Sequence, residues 1–177
     1  MTENGAQSGL PRAGRRGTLA ADMSAVPPEH AERPILLHVQ ADELAAQSWQ
    51  EAIAELAANI AAEAGLPAVQ PLIDSALQRE DCEPTHLGRG MALPHARVEG
   101  LPCAAVYVAH SVAGIGWHKE PAHLIAFLAV PDEAPELYLH LLSRLIRWRL
   151  RLMDGVLAQG KLPAEAWERS LREELAR

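Results

Sequence analysis

The sequence predicts a single α/β domain, a sandwich with helices outside and strands between. Apolar faces of helical period flank the ordered part of the chain, while short and nearly continuous apolar runs at 104–109 and 124–130 lie between them. No segment repeats, so a solenoid or propeller is excluded. The 177 residues suit one domain plus a tail, and a hydrophobic share of 49% is enough to build a core.

Residues 1–33 are rich in Gly, Pro, Arg and Ala without lasting periodicity; they read as a disordered N-terminal arm, with the domain at 34–177. Met1 and Met23 are both candidate starts. Ile-Leu-Leu-His-Val at 35–39 reads as a short strand or extended lead-in. Ser48 with Glu51 forms a capping box, Ile53, Leu56, Ala57 and Ile60 supply a helical face, and Gly65 ends that helix. Pro67 opens a second helix, with Val69, Leu72, Ile73, Ala76 and Leu77 on its apolar side, reaching about Arg79. The stretch 80–90 is polar and turn-rich, and 91–93 is a brief strand running into Pro94 and His95 on a stiff loop. The runs 104–109 and 124–130 read as buried strands, and Pro131, Asp132 and Pro135 mark a loop. A long helix follows over about 136–158. Pro163 opens a last one, with Trp167, Leu171 and Leu175 as its face.

Charge and composition exclude several function classes. Sixteen Lys and Arg against 23 Asp and Glu give a net charge of −7, the wrong sign for a generic nucleic-acid binder. No apolar run reaches the length of about 18 residues that a spanning helix needs, so the chain is not membrane-embedded. Cys82 and Cys103 form no CxxC pair and no disulfide framework. Asp22 interrupts any apolar stretch after Arg15 and Arg16, so no signal peptide is read and a cytoplasmic location is expected. Eight histidines call for a metal test, but His110, His118 and His123 lack the i,i+4 spacing of a helical zinc site, so no metal is expected.

His95 stands apart from the other histidines. Pro94 fixes its own backbone and biases Leu93 toward extended geometry, while Gly88 and Gly90 allow a tight turn that can offer backbone N–H groups to an anion. Arg79, Arg89 and Arg97 are close in sequence. A neutral imidazole is a good nucleophile near pH 7, and arginine matches phosphate oxygens, so phosphoryl chemistry fits. On spacing alone, a structural Pro-His in a loop fits as well.

Arg79-Glu80, then Thr85, Gly88, Gly90, Ala92, Pro94 and His95 occur in one segment in that order. This segment resembles the signature of type-2 IIA domains of the bacterial phosphoenolpyruvate-dependent phosphotransferase system, which serve fructose and mannitol uptake and a nitrogen-regulatory branch. The likeness continues through both apolar runs, Trp117, Pro121 and Leu141-Leu142-Ser143, covering about 35–175. The resemblance implies a mixed β-sheet flanked by helices on both faces. It implies that His95 accepts phosphate from an HPr-like donor and passes it to a IIB domain or reports metabolic state. Arg79 matches the family's active-site arginine and would neutralise phosphoryl oxygens, Thr85 would donate a hydrogen bond, and Gly88, Arg89 and Gly90 would bind phosphate. No metal or organic cofactor is implied.

The pattern also breaks. Where family members carry a second histidine at the start of the long helix, alignment on Leu142-Ser143 gives Tyr138, with His140 two residues on. Tyr138 shares the face of Leu141, Leu142, Leu145, Trp148 and Leu152 and so should point toward the sheet, whereas His140 joins a flank with Arg144, Arg147 and Arg151. His86 and Arg89 replace small or amide residues, adding positive potential near a phosphate or retuning the site for another anion. Arg144, Arg147, Arg149 and Arg151 are either a solvated face or a docking surface for an acidic partner. Two functions are therefore carried forward. One is a phosphohistidine carrier with regulatory output. The other is a IIA-like binding module that regulates a membrane transporter by direct contact.

Overall fold

The computed structural model describes residues 34–40, 43–153 and 164–177. The expected arm at 1–33 lies outside the described residues. The order is β1 (Ile35–Val39), α1 (Trp49–Ala64), α2 (Gln70–Cys82), β2 (Met91–Ala92), β3 (His95–Val98), β4 (Ala104–Trp117), β5 (Glu120–Pro131), α3 (Pro135–Met153) and α4 (Ala164–Leu175).

The sheet is mixed, as expected. Its path runs β1-β4-β5-β2, with β3 also pairing β5. Among the described strands only the β4–β5 pair is antiparallel, while β1 on β4, and β2 and β3 on β5, are parallel. Because side chains alternate along each strand, the central strands feed two cores. Ala105, Tyr107, Ile125 and Phe127 pack with Ile53, Leu56, Ile60 and Leu72 of α1 and α2. Val106, Val108, Leu124 and Leu128 pack with Leu137, Leu141, Leu145 and Trp148 of α3 and with Trp167 and Leu171 of α4. Both tryptophans are core residues.

Local chemistry explains the element ends. Ser48 is extended and its hydroxyl accepts from Glu51 N at 3.3 Å, while Glu51 reaches back to Gln47 N at 2.7 Å. Such a cap is worth about 1 kcal/mol. The second helix begins at Gln70, with Pro71 rather than Pro67 in its first turn, and extends past Arg79 to Cys82. Two sheet expectations also need correction. His95 does not sit on a free loop but opens β3, a strand too short and too interrupted by exposed Arg97 to show as an apolar run. The hairpin strands are longer than 104–109 and 124–130. They continue through a register shift between His110 and Ile115 to a turn at His118, where φ is 54°. The predicted continuation of the long helix to about 158 lies outside the described residues.

Candidate functional site

His95 projects toward α3, since its neighbours Ala96 and Val98 belong to the core beneath α1 and α2. The ring is 6% exposed. Its Nδ1 lies 3.0 Å from the Leu93 carbonyl. A carbonyl can only accept, so Nδ1 carries the hydrogen and Nε2 presents the lone pair. Tyr138 Oη lies 2.7 Å from that Nε2 and donates to it, with ring centroids 5.2 Å apart. Tyr138 is thus on the inner face of α3, and Ser143 Oγ bonds the carbonyl of His140 on the other flank. Burial holds the His95 pKa below its ordinary 6.5. The Leu93 carbonyl works against that, the Arg79 charge adds to it, and the Glu80 charge opposes it.

Arg79 stands in the last turn of α2, 37% exposed, with Nη1 donating to the Glu83 carbonyl at 2.9 Å and Nη2 at 3.9 Å from the Glu83 carboxylate. Thr85 is buried, and both its N–H and its hydroxyl donate to Glu80. Its hydroxyl hydrogen, expected to serve a phosphate, ties Thr85 to Glu80 here.

That tie reveals residues to which the sequence reading gave no role. Glu80 is fully buried and takes hydrogen bonds from Thr85, from Trp117 Nε1 at 2.7 Å, and a contact from His118 Nε2 at 3.2 Å. The chain of contacts goes on, because Leu93 N donates to the Thr85 carbonyl at 3.1 Å and His95 to the Leu93 carbonyl. A signal for Glu80 was present: the buried residues of α2 are Leu72, Ala76 and Glu80, a carboxylate completing an apolar i,i+4,i+8 stripe. His118 is further fixed by stacking on Trp49 at 4.9 Å.

The glycine turn is not beside His95. Residues 85–93 form a narrow hairpin, with Leu87 N on the Met91 carbonyl and Leu93 N on that of Thr85. Gly88, Arg89 and Gly90, with φ of 74°, 52° and 75°, make its tip. The Gly90 carbonyl accepts from Leu124 N, whereas His95 pairs with Leu128. Four residues of β5 separate the two, about 13 Å at roughly 3.3 Å per residue. Gly88, Arg89 and Gly90, expected to bind phosphate, brace the sheet at this turn. A Cβ on Gly90 would lie 3.0 Å from His123, and Arg149 of α3 donates to the Gly88 carbonyl at 3.0 Å. His86 belongs to the same brace. Its Nδ1 accepts from Gly88 N, so it is its Nε2 that donates to the Pro121 carbonyl. The arginine flank is divided likewise: Arg149 holds this turn, Arg151 pairs with buried Glu174, and Arg147 is exposed.

Among the described residues no group of three or more His, Cys, Asp or Glu could hold a metal ion, and no helix is long and apolar enough to cross a membrane. His110, His118 and His123 have separate partners in Trp167, Glu80 and the Ser111 carbonyl. Cys82 and Cys103 are both free.

Comparison with known proteins agrees with this architecture. Residues 37–152 match the family model described as phosphoenolpyruvate-dependent sugar phosphotransferase system, EIIA 2. The 2-O-alpha-mannosyl-D-glycerate-specific EIIABC component of Escherichia coli K12 is 31% identical over 103 residues, 55% of this chain but only 16% of that protein. Nitrogen regulatory protein IIA-Ntr of Neisseria meningitidis superposes with a TM-score of 0.60 at 24% identity, covering 80% of this chain and 94% of the other. IIA mannitol of Escherichia coli, solved in complex with phosphorylated enzyme IIB mannitol, gives 0.53 at 17% identity, covering 78% and 93%.

Proposed function

The chain belongs to the phosphoenolpyruvate-dependent sugar phosphotransferase system EIIA 2 family, and on that premise we propose that it is a phosphohistidine carrier with regulatory output whose acceptor atom is His95 Nε2. The observation that carries this reading is the ring's fixed tautomer: Nδ1–H is held by Leu93, and the Nε2 lone pair points at one movable hydroxyl. In the transfer, the lone pair forms an N–P bond as the donor's N–P bond breaks and its electrons return to the donor imidazole. The Nδ1 proton stays in place, and the Leu93 carbonyl steadies the positive charge the ring acquires. The transition state is loose, so placement and charge compensation do most of the work. Tyr138 is displaced from Nε2 and turns its O–H to a phosphoryl oxygen. Arg79, close enough to influence the ring's pKa, leaves Glu83 to meet another. The donor is an HPr-like protein in the cytoplasm, and the acceptor is a IIB domain or a transporter-associated partner.

Incubation with phosphoenolpyruvate, enzyme I and an HPr-like donor should label the wild-type chain and leave His95→Ala bare. Acid-labile label persisting in His95→Ala would move the site elsewhere. A second reading, a IIA-like module that regulates a membrane transporter by contact alone, is favoured by the Tyr138 hydroxyl closing the only lone pair of a ring 6% exposed. It predicts partner capture that is indifferent to both phosphorylation and His95→Asp.

A further inference from the structure

On the opposite face of the sheet from His95, at the β1 edge, a groove of about 820 Å³ is lined by His38, Gln40, Glu55, Asn59, Glu63 and Tyr107, among others. Tyr107 is 2% exposed and belongs to the core beneath α1. Its Oη is buried with no hydrogen-bond partner among the described residues, and so is Gln40 Oε1. An apolar ring would serve packing without stranding a hydroxyl. The Gln40 amide is oriented by Glu55, which accepts from its Nε2 at 3.4 Å, so the unpaired end is the acceptor. His38 lies flat on Tyr107, 5.0 Å between centroids at 17°, and forms one wall. The opposite wall is a single stripe of α1, Glu55, Asn59 and Glu63, spaced i,i+4,i+8 over about 12 Å at roughly 1.5 Å per residue. Among the described residues the lining holds two carboxylates and neither Lys nor Arg.

We propose that this groove binds a linear organic cation carrying two or more ammonium groups. An ammonium offers only donors, which Gln40 Oε1 and Tyr107 Oη lack, and its charge suits the carboxylates of Glu55 and Glu63. Its methylenes lie against the stacked rings of His38 and Tyr107, where a cation also gains from the aromatic face. An anion would meet two negative charges, and a neutral polyol would leave both uncompensated. A metal ion does not fit, since no sufficient ligand group exists among the described residues.

Spermidine titrated calorimetrically into the full chain, at a salt concentration of about 0.15 M that screens loose surface attraction, should give saturable binding with defined stoichiometry. Tyr107→Phe and Glu63→Gln should each weaken it at least about tenfold. Tyr107→Phe should melt no lower than the parent, because it removes a stranded hydroxyl, so its loss of binding cannot be ascribed to misfolding. His95→Ala should bind normally, which separates this site from the phosphoryl reading. The proposal is overturned if Tyr107→Phe binds as tightly as the parent, if sorbitol binds equally well, or if magnesium at matched charge displaces spermidine as from a loose acidic patch.

Discussion

The Leu93 carbonyl and the Tyr138 hydroxyl divide the two nitrogens of His95 into a donor and an acceptor, and burial favours the neutral form of the ring. The consequence for stability has a definite sign. Just below pH 6.5 the unfolded chain takes up a proton at this ring and the folded chain does not, so stability rises with pH through that window. The contribution is complete above 6.5 and is lost as pH falls through the folded pKa. Urea unfolding of wild type and His95→Gln at about pH 7.5 and about pH 5.5 should show a steeper acid loss in wild type; parallel losses would assign it to another group. Tyr138→Phe tests the second contact. It leaves the ring in place but removes the hydroxyl that the proposed transfer turns to a phosphoryl oxygen. A charge-assisted hydrogen bond of about 1.5 kcal/mol predicts a roughly tenfold slower labelling. An unchanged rate would reduce Tyr138 to a cap on Nε2.

Among the elements, the 85–93 hairpin shows what sequence spacing can and cannot say. Glycines at 88 and 90 correctly mark a tight turn, because left-handed φ values of 74° and 75° suit no other residue as well. Which way that turn faces is a matter of strand pairing, a long-range property that local residues do not encode. The pairing of Gly90 at the Leu124 end of β5 carries the turn away from His95. Gly90→Ala would strain the backbone and press a methyl against His123, costing about 1–3 kcal/mol. Labelling of His95 in the folded protein should stay within about twofold, because the turn pairs four residues of β5 away from His95. A loss of labelling in a folded Gly90→Ala protein would restore the phosphate-binding role. Thr85→Val is the contrasting change at the hairpin base. It strips one donor from fully buried Glu80, so it should cost about 1–3 kcal/mol and also shift the NMR signals of the His95 ring, through Leu93. If stability falls but the ring signals stand still, the contact chain ends at Thr85.

At the scale of the whole molecule, the layer order was legible because amphipathic periodicity reports burial directly. The faces of Ile53 to Ile60 and of Leu141 to Trp148, with nearly continuous apolar strands between, leave only a sheet covered on both sides. Glu80 and β3 were less legible: the first is a charged residue on a buried stripe, the second a strand of only four residues. The two-sided cover makes a prediction about cooperativity. Helix α4 packs on both α3 and β1, and Trp167 is its large anchor, 8% exposed, lying edge-on to His110 at 6.0 Å. Trp167→Ala should therefore cost about 3 kcal/mol or more by opening a cavity over the β1 edge. Its effect should fall first on β1 and α4, because His95, Leu93 and Tyr138 are held by contacts that do not include this tryptophan. Hydrogen exchange should then show faster opening of β1 and α4 in the variant while β5 keeps its protection. If β5 and β1 lose protection together, the two cores unfold as one unit and the edge has no separate stability.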